Sequence, residues 1–218
     1  MTDSSAAGAA VYSPLTLALY DAWVLGISNR YAWRCSTRAV LMPFFRANVR
    51  PRHLDIGVGT GYYLAKAQLS SQTHVTLLDL NLSSLEAARR RIGRPGTRTI
   101  QHDVMKPLTG DECFDSISLF YLLHCLPGPL DTKAAIFGHL KHNLLPGGVL
   151  FGATILGDEA KHNSFGRQLM ALYNKKGIFS NREDNEAGFG AHLRKHFNDV
   201  TLKRHGRVLL FRAAEPIV

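Results

Sequence analysis

Between His53 and Tyr62 the chain reads His-Leu-Asp-Ile-Gly-Val-Gly-Thr-Gly-Tyr. A short apolar strand that runs into Gly57, Gly59 and Gly61 and then into a helix brings backbone N–H groups and a helix N-terminus up to a ligand. Glycine opens backbone angles closed to other residues and lets the ligand lie against the main chain. Asp55, two residues before the first glycine, adds a carboxylate at the strand tip. An acid there repels a pyrophosphate but accepts from an ammonium group. The dinucleotide pattern Gly-x-Gly-x-x-Gly requires glycine at the position of Tyr62, and no Gly-Lys-Ser/Thr follows to make a P-loop. Dehydrogenase and nucleotide triphosphatase chemistry are therefore disfavoured.

Further acids and apolar runs follow in order. Asp79 closes the run Thr-Leu-Leu-Asp-Leu-Asn, eighteen residues after Gly61, and His102-Asp103 closes a third run. Phe114 to Pro127 reads Phe-Asp-Ser-Ile-Ser-Leu-Phe-Tyr-Leu-Leu-His-Cys-Leu-Pro, and Leu144 to Leu150 reads Leu-Leu-Pro-Gly-Gly-Val-Leu. The pattern Asp-x-Gly-x-Gly-x-Gly resembles motif I of the class I S-adenosylmethionine-dependent methyltransferases, and the other three segments resemble that family's later motifs in the right order. The resemblance covers roughly residues 50–156. It implies S-adenosyl-L-methionine as cofactor, with S-adenosyl-L-homocysteine as product. It implies Asp55, Gly57, Gly59 and Gly61 around the cofactor, Asp79 with Leu80 at the ribose hydroxyls, and Asp103 with Val104 at the adenine. Phe120 completes the set, although a typical member has a small or polar residue there.

A sulfonium methyl is already activated, so the protein must bring a nucleophile in line with it and, where needed, accept a proton. Ligands of open α/β sheets lie beyond the carboxyl ends of the strands, which places Tyr121 and His124 on the acceptor side. His124 is the candidate general base; its bland alternative is a structural or cofactor-side histidine. Helices before the first strand often form a lid in this family, which brings Tyr20, Tyr31, Trp33 and Arg34 forward as pocket wall. Tyr20 and Trp23, three apart on a helix, also suit plain packing. Arg167 and Tyr173 could reach the acceptor from later in the chain.

The elements that must position these residues alternate. Residues 14–48 have helical spacing, with Gly26, Ser28 and Asn29 expected to break the first helix and a second helix over Ala39–Phe45. Strands are expected at Leu54–Ile56, Val75–Leu78, Arg98–Gln101, Ser116–Phe120 and Val149–Ile155. Helices are expected from Gly61 to Leu69, from Ser83 with Glu86 as a capping box, and from Leu130 to Leu144, the last stopped by Pro146-Gly147-Gly148. Residues 160–197 read as helical cover, and His205-Gly206 turns a hairpin between Val200–Lys203 and Val208–Arg212. The implied fold is α/β: a Rossmann-like, doubly wound, mostly parallel seven-stranded sheet with a C-terminal antiparallel hairpin and N-terminal lid helices. The expected organisation is a flexible terminus over 1–12 and one domain over 13–218. Within that domain fall a helical lid (13–50), a cofactor-binding core (51–156) and substrate-side helices with the hairpin (157–218).

Composition bounds the rest. A chain of 218 residues with 45% hydrophobic and 20% charged residues suits one globular domain. The N-terminal Met-Thr-Asp-Ser-Ser lacks a secretory pattern, and no run reaches the ~20 apolar residues of a membrane helix. The three cysteines (Cys35, Cys113 and Cys125) show no Cys-x-x-Cys spacing and the ten histidines no His-Glu-x-x-His, so no metal site is expected and a cytoplasmic setting suits them. The net charge of +9 is unusual, but its densest run, Arg89-Arg90-Arg91, reads as a solvated helix face. The expected partner is a small, hydrophobic acceptor, with no clear nucleic-acid module and a monomeric or homodimeric state. The charge keeps an RNA or protein methyltransferase open, although Leu119-Phe-Tyr-Leu stands where an Asn/Asp-Pro-Pro-Tyr motif would mark planar nitrogens. A non-catalytic or cyclase-like protein that binds the same cofactor is the other alternative.

Overall fold

The computed structural model describes residues 21–217 apart from residue 111. Residues 1–20, including Tyr20 and the expected flexible terminus, lie outside the described residues. The elements are α1 (Asp21–Ala32), α2 (Thr37–Leu41), α3 (Met42–Asn48), β1 (Arg52–Ile56), α4 (Tyr62–Lys66), β2 (His74–Asp79), α5 (Leu82–Ile92), β3 (Arg98–Gln101), β4 (Phe114–Phe120), α6 (Leu130–Lys141), β5 (Leu144–Ile155), α7 (Ser164–Lys175), α8 (Glu186–Arg194), β6 (Phe197–His205) and β7 (Val208–Pro216). The seven strands run in the order β3-β2-β1-β4-β5-β7-β6. Strands β1 to β5 pair in parallel, while β7 is antiparallel to both β5 and β6. The doubly wound sheet with a C-terminal antiparallel hairpin is thus as expected. Its strand order reverses between β1 and β4, where such sheets open a crevice at the carboxyl ends of the strands.

Strand alternation sends successive side chains to opposite faces, and a core forms on each. One face gathers Val75, Leu77, Val149, Phe151 and Leu210 under α1 to α5 and α7; the other gathers Leu54, Ile56, Ile117, Leu119 and Phe211 under α6 and α8. Phe45 is fully buried at the centre of the first core, with Phe120 at 5.1 Å, Tyr63 at 5.5 Å and Phe151 at 5.8 Å between ring centroids. The Phe120 and Phe151 pairs are edge-on and the Tyr63 pair is stacked, and such pairings add about 0.5–1.5 kcal/mol each beyond burial.

Several element boundaries differ from the sequence expectation, each for a local reason. Gly26, Ser28 and Asn29 do not break the first helix; they lie inside α1, whose turns are widened to the π form. Asn29 donates from Nδ2 to Thr37 Oγ1 at 2.8 Å, and the chain breaks later, at Arg34, with φ 53°. The cap of α5 is Asn81, whose side chain accepts from Ser83 N at 2.8 Å, so Ser83 and Glu86 do not form the end of that helix. The stretch Pro146-Gly147-Gly148 does not stop α6, which ends at Lys141; it lies within β5, where the pairing with β4 shifts register.

Candidate active site

The cavity opens at the carboxyl ends of β1, β2 and β4 and is lined by two groups of residues. Asp55, Gly57, Val58, Gly59, Asp79, Leu80, Asp103 and Val104 line one side; Leu25, Tyr121, Leu122, Leu126, Pro127 and Ile178 belong to the other. Phe120, at the end of β4, also lines the cavity.

The glycine loop takes its shape from backbone angles, since Gly57, Gly59 and Gly61 all have positive φ. At Gly61 packing forbids a side chain as well: a Cβ would stand 2.9 Å from the Cα of Ala88 on α5. Gly61 therefore seats the loop on that helix and does not itself line the cavity. Gly59 has φ +51° and open space where a Cβ would be. Its main chain stays accessible to a ligand.

A buried carboxylate, Asp55, and a half-buried one, Asp79, face this side. Burial pushes the Asp55 carboxyl up to about 7, a bond from Ser118 pulls against that, and the charge of Asp79 adds to the rise. Burial also raises Asp79, which is opposed by backbone N–H groups of Asn81, Gly59, Val58 and Leu80. The Asn81 bond measures 2.9 Å. Two carboxylates held beside a glycine loop fit a ligand that brings an ammonium group and paired hydroxyls. Asp103, at the end of β3, accepts from Met105 N at 3.0 Å.

The other side is built from side chains. Tyr121 is buried with φ 58°, an angle uncommon outside glycine, and its amide donates to Ala153 O at 2.8 Å. His124 does not line the cavity: it is 2% exposed and packs behind Tyr121, with ring centroids 5.5 Å apart, and against Phe179 at 4.5 Å. Burial, helped by the charge of Lys133, pushes its imidazole down to about 3. Nδ1 accepts from Ile155 N at 3.4 Å. Tyr31 is 57% exposed and Trp33 packs edge-on against His162, so neither walls the cavity as expected; of the described part of α1, Leu25 does. Arg34, Arg167 and Tyr173 also stand outside the lining.

Sequence reasoning missed the parts that hold these walls. Lys133 is fully buried on α6 and donates to both oxygens of Asp184, at 2.8 and 2.9 Å, and to Ser180 O at 2.5 Å. Ser180 N donates to His124 O at 2.9 Å, and Asn181 Nδ2 to Ile155 O at 2.9 Å. These bonds tie residues 176–185, which carry Ile178, across the ends of β4 and β5. A lysine spaced three from Leu130 and four from Phe137 on an apolar helix stripe was the available signal. Arg91 lies on the exposed face expected of it, yet it donates to Thr60 Oγ1 at 2.9 Å and lies 5.3 Å from the centroid of Tyr62.

Comparison with known proteins identifies the family. A family model described as a methyltransferase domain matches residues 54–150. An O-methyltransferase of the physcion biosynthesis cluster from Aspergillus chevalieri is 44% identical over 96% of this chain and 95% of its own length. The chain belongs to the class I S-adenosylmethionine-dependent methyltransferases. An N-methyltransferase of Penicillium aethiopicum is 43% identical to this methyltransferase over 98% of the chain and 90% of its own length. A solved complex of DhpI with S-adenosylhomocysteine superimposes with a TM-score of 0.69, at 19% identity, covering 99% of this chain and 98% of that one. Membership of that family makes S-adenosylmethionine its methyl donor. Among the described residues no helix is long and apolar enough to cross a membrane.

Proposed function

We propose that this methyltransferase alkylates a nucleophilic oxygen or nitrogen on a small, largely apolar metabolite. The observation that carries the reading is the second side of the cavity, where Leu25, Tyr121, Leu126, Pro127 and Ile178 offer apolar and aromatic surface. Such a wall suits a compact hydrophobic acceptor and gives a polyanion no charged partner. The names of the two fungal relatives, an O- and an N-methyltransferase, support it.

On the donor side Asp55 accepts from the amino group of the cofactor, Asp79 from its ribose hydroxyls, and Asp103 from its adenine amine. The loop at Gly57 and Gly59 presents its main chain, and Leu80, Val104 and Phe120 fill the apolar surround. The bound cofactor supplies a methyl on sulfonium, whose leaving group is a neutral thioether. The protein's own contribution is to hold the acceptor in line and exclude water, and such positioning is a large share of what lowers a bimolecular barrier. Tyr121 forms the wall at the junction of the two sides. In this reading His124 supports Tyr121 from behind and is not the base: its ring is buried, neutral and already accepting at Nδ1. The Cys125 thiol, pushed up to about 12 by burial, supplies no thiolate.

The test is transfer of labelled methyl to a panel of phenols and aromatic amines, with transfer RNA and basic peptides in parallel, and with Asp79→Ala as control. Turnover on a small aromatic, lost in the variant together with S-adenosylhomocysteine binding, is the expected result. Turnover on the RNA or peptide alone would replace the metabolite reading. Tight cofactor binding without any transfer would favour a non-catalytic role.

A further inference from the structure

Below the donor side of the cavity, β1 and β4 carry a buried polar row on one face of the sheet. His53 and Asp55 alternate along β1 and stand in register with Ser116 and Ser118 on β4. The four side chains are 0 to 6% exposed. Across the sheet the buried positions of the same strands are Leu54, Ile56, Ile117 and Leu119, so the buried polar row is a local exception with a desolvation cost.

Its hydrogen bonds join end to end. Arg50 N donates to Ser116 Oγ at 2.9 Å, and Ser116 Oγ lies 2.8 Å from His53 Nδ1. His53 Nε2 lies 3.2 Å from Ser118 Oγ, which donates to Asp55 Oδ1. Burial against Phe45 and Phe151 pushes the imidazole down to about 3, so the ring is neutral, with one N–H and one lone pair. When Asp55 is ionised, Ser118 gives its single hydrogen to the carboxylate and can only accept from His53, which fixes the proton on Nε2. Nδ1 then accepts from Ser116, whose oxygen in turn takes the Arg50 amide. Each link has one consistent assignment. When Asp55 is protonated the row can run the other way: Asp55 donates to Ser118, Ser118 to Nε2, and Nδ1–H to Ser116.

We propose that His53 is a positioning residue for the cofactor, acting through Ser118 to orient Asp55 as an ionised acceptor, with its ring tautomer switching as the charge at Asp55 changes. The inference rests on the assignment of Asp55 to the cofactor's amino group. It gives the polar row a purpose that packing does not, because a ring in this aromatic surround needs no nitrogen to fill its space. The charged group that reaches Asp55 from the neighbouring strand is Asp79 on β2, which favours the protonated form. The bond from Ser118 opposes it.

The experiment uses wild-type protein labelled with 15N-histidine, with His53→Phe serving to assign the signal. Expected is an Nε2–H ring above about pH 8, a change toward Nδ1–H as the pH falls through about 7, and restoration of Nε2–H at pH ~6 by saturating S-adenosylhomocysteine. In calorimetry, Ser118→Ala should weaken S-adenosylhomocysteine binding roughly 3- to 10-fold at neutral pH, with recovery toward pH ~9 as the carboxyl ionises unaided. A His53 tautomer indifferent to both pH and ligand would overturn the proposal, and so would a Ser118→Ala affinity profile parallel to wild type at every pH. The wild-type titration stands even where a variant does not fold. Asp55→Asn separates the two levels: undiminished binding there would remove Asp55 from the cofactor site, whereas loss of binding with an unresponsive ring would overturn the role of His53 alone.

Discussion

The two sides of the cavity are made of different material. The donor side is a short main-chain loop and a row of strand-end carboxylates, all supplied within residues 55–104. The other side draws Leu25 from α1, Tyr121, Leu122, Leu126 and Pro127 from beyond β4, and Ile178 from a segment far along the chain. A loop held by local backbone geometry needs little support, whereas a wall gathered from distant segments needs a fastening. The Lys133–Asp184 pair is that fastening, with a Lys133 side chain 0% and an Asp184 side chain 2% exposed. Burial raises the Asp184 carboxyl, Lys133 pulls against that through charge and hydrogen bond, and the charge of Glu183 adds to the rise. Replacing Lys133 by Met leaves a buried carboxylate without its partner, which should cost ~3–5 kcal/mol in urea unfolding. Removing the charge at both positions, Lys133→Met with Asp184→Leu, should return most of that stability. If folded Lys133→Met protein loses donor affinity as severely as acceptor turnover, the division into two independently built sides fails.

The same contrast decides what the sequence made readable. Motif spacing marks the donor side because the chemistry sits on consecutive residues: the loop needs glycine at Gly57, Gly59 and Gly61, and Asp79 and Asp103 follow at strand ends. The mostly parallel sheet and the hairpin also follow from local periodicity, and the misplaced break in the first helix arose where a polar residue bonded outside its own helix, as Asn29 does to Thr37. The acceptor wall was not legible, because Ser180 and Asp184 meet His124 and Lys133 only after the chain has crossed the sheet. Arg91 is exposed as expected, but its bond to Thr60 was hidden for the same reason, the partner being 31 positions away. The polar row left a readable trace. Central parallel strands normally form continuous apolar runs, yet His-Leu-Asp-Ile and Ser-Ile-Ser-Leu alternate. That alternation says one buried face carries polar work.

A second way to sharpen the contrast is to ask what the donor side costs the protein before the cofactor binds. Asp55 has its carboxyl raised to about 7 from an ordinary 3.8. The native state therefore keeps a proton that the unfolded chain has released, and the linkage sign follows: stability of the cofactor-free protein falls as pH rises through this window and the loss is complete above about pH 7. Asp55→Asn cannot ionise and escapes that loss. Urea unfolding of the cofactor-free variant should show a gain of about 2–4 kcal/mol over wild type at pH ~8, shrinking to nothing near pH ~4. Saturating S-adenosylhomocysteine should stabilise wild type and leave the variant unmoved. An equal difference at both pH values would show that the substitution acts through packing. No comparable pH-dependent gain is expected from Ile178→Val on the other wall, which exchanges one apolar side chain for another.

The smallest expected effect tests whether the glycine loop is as self-sufficient as the comparison holds. Arg91 on α5 reaches the loop through Thr60 Oγ1 and lies over the ring of Tyr62. A half-buried bond of this kind and an accompanying cation–π contact each contribute on the order of 1 kcal/mol. Positive φ at Gly57, Gly59 and Gly61 and the seat of Gly61 on Ala88 already define the loop. Arg91→Ala should therefore weaken S-adenosylmethionine binding only about 3- to 5-fold, seen as a rise in KM for the cofactor with kcat unchanged. Arg91→Lys keeps the charge but loses the planar guanidinium, and should recover only part of that affinity. A loss of a hundredfold or more would mean that the loop depends on α5 for its shape. The donor side would then be fastened from outside, as its neighbour is by Lys133, and the distinction between a self-supporting loop and an assembled wall would have to be given up.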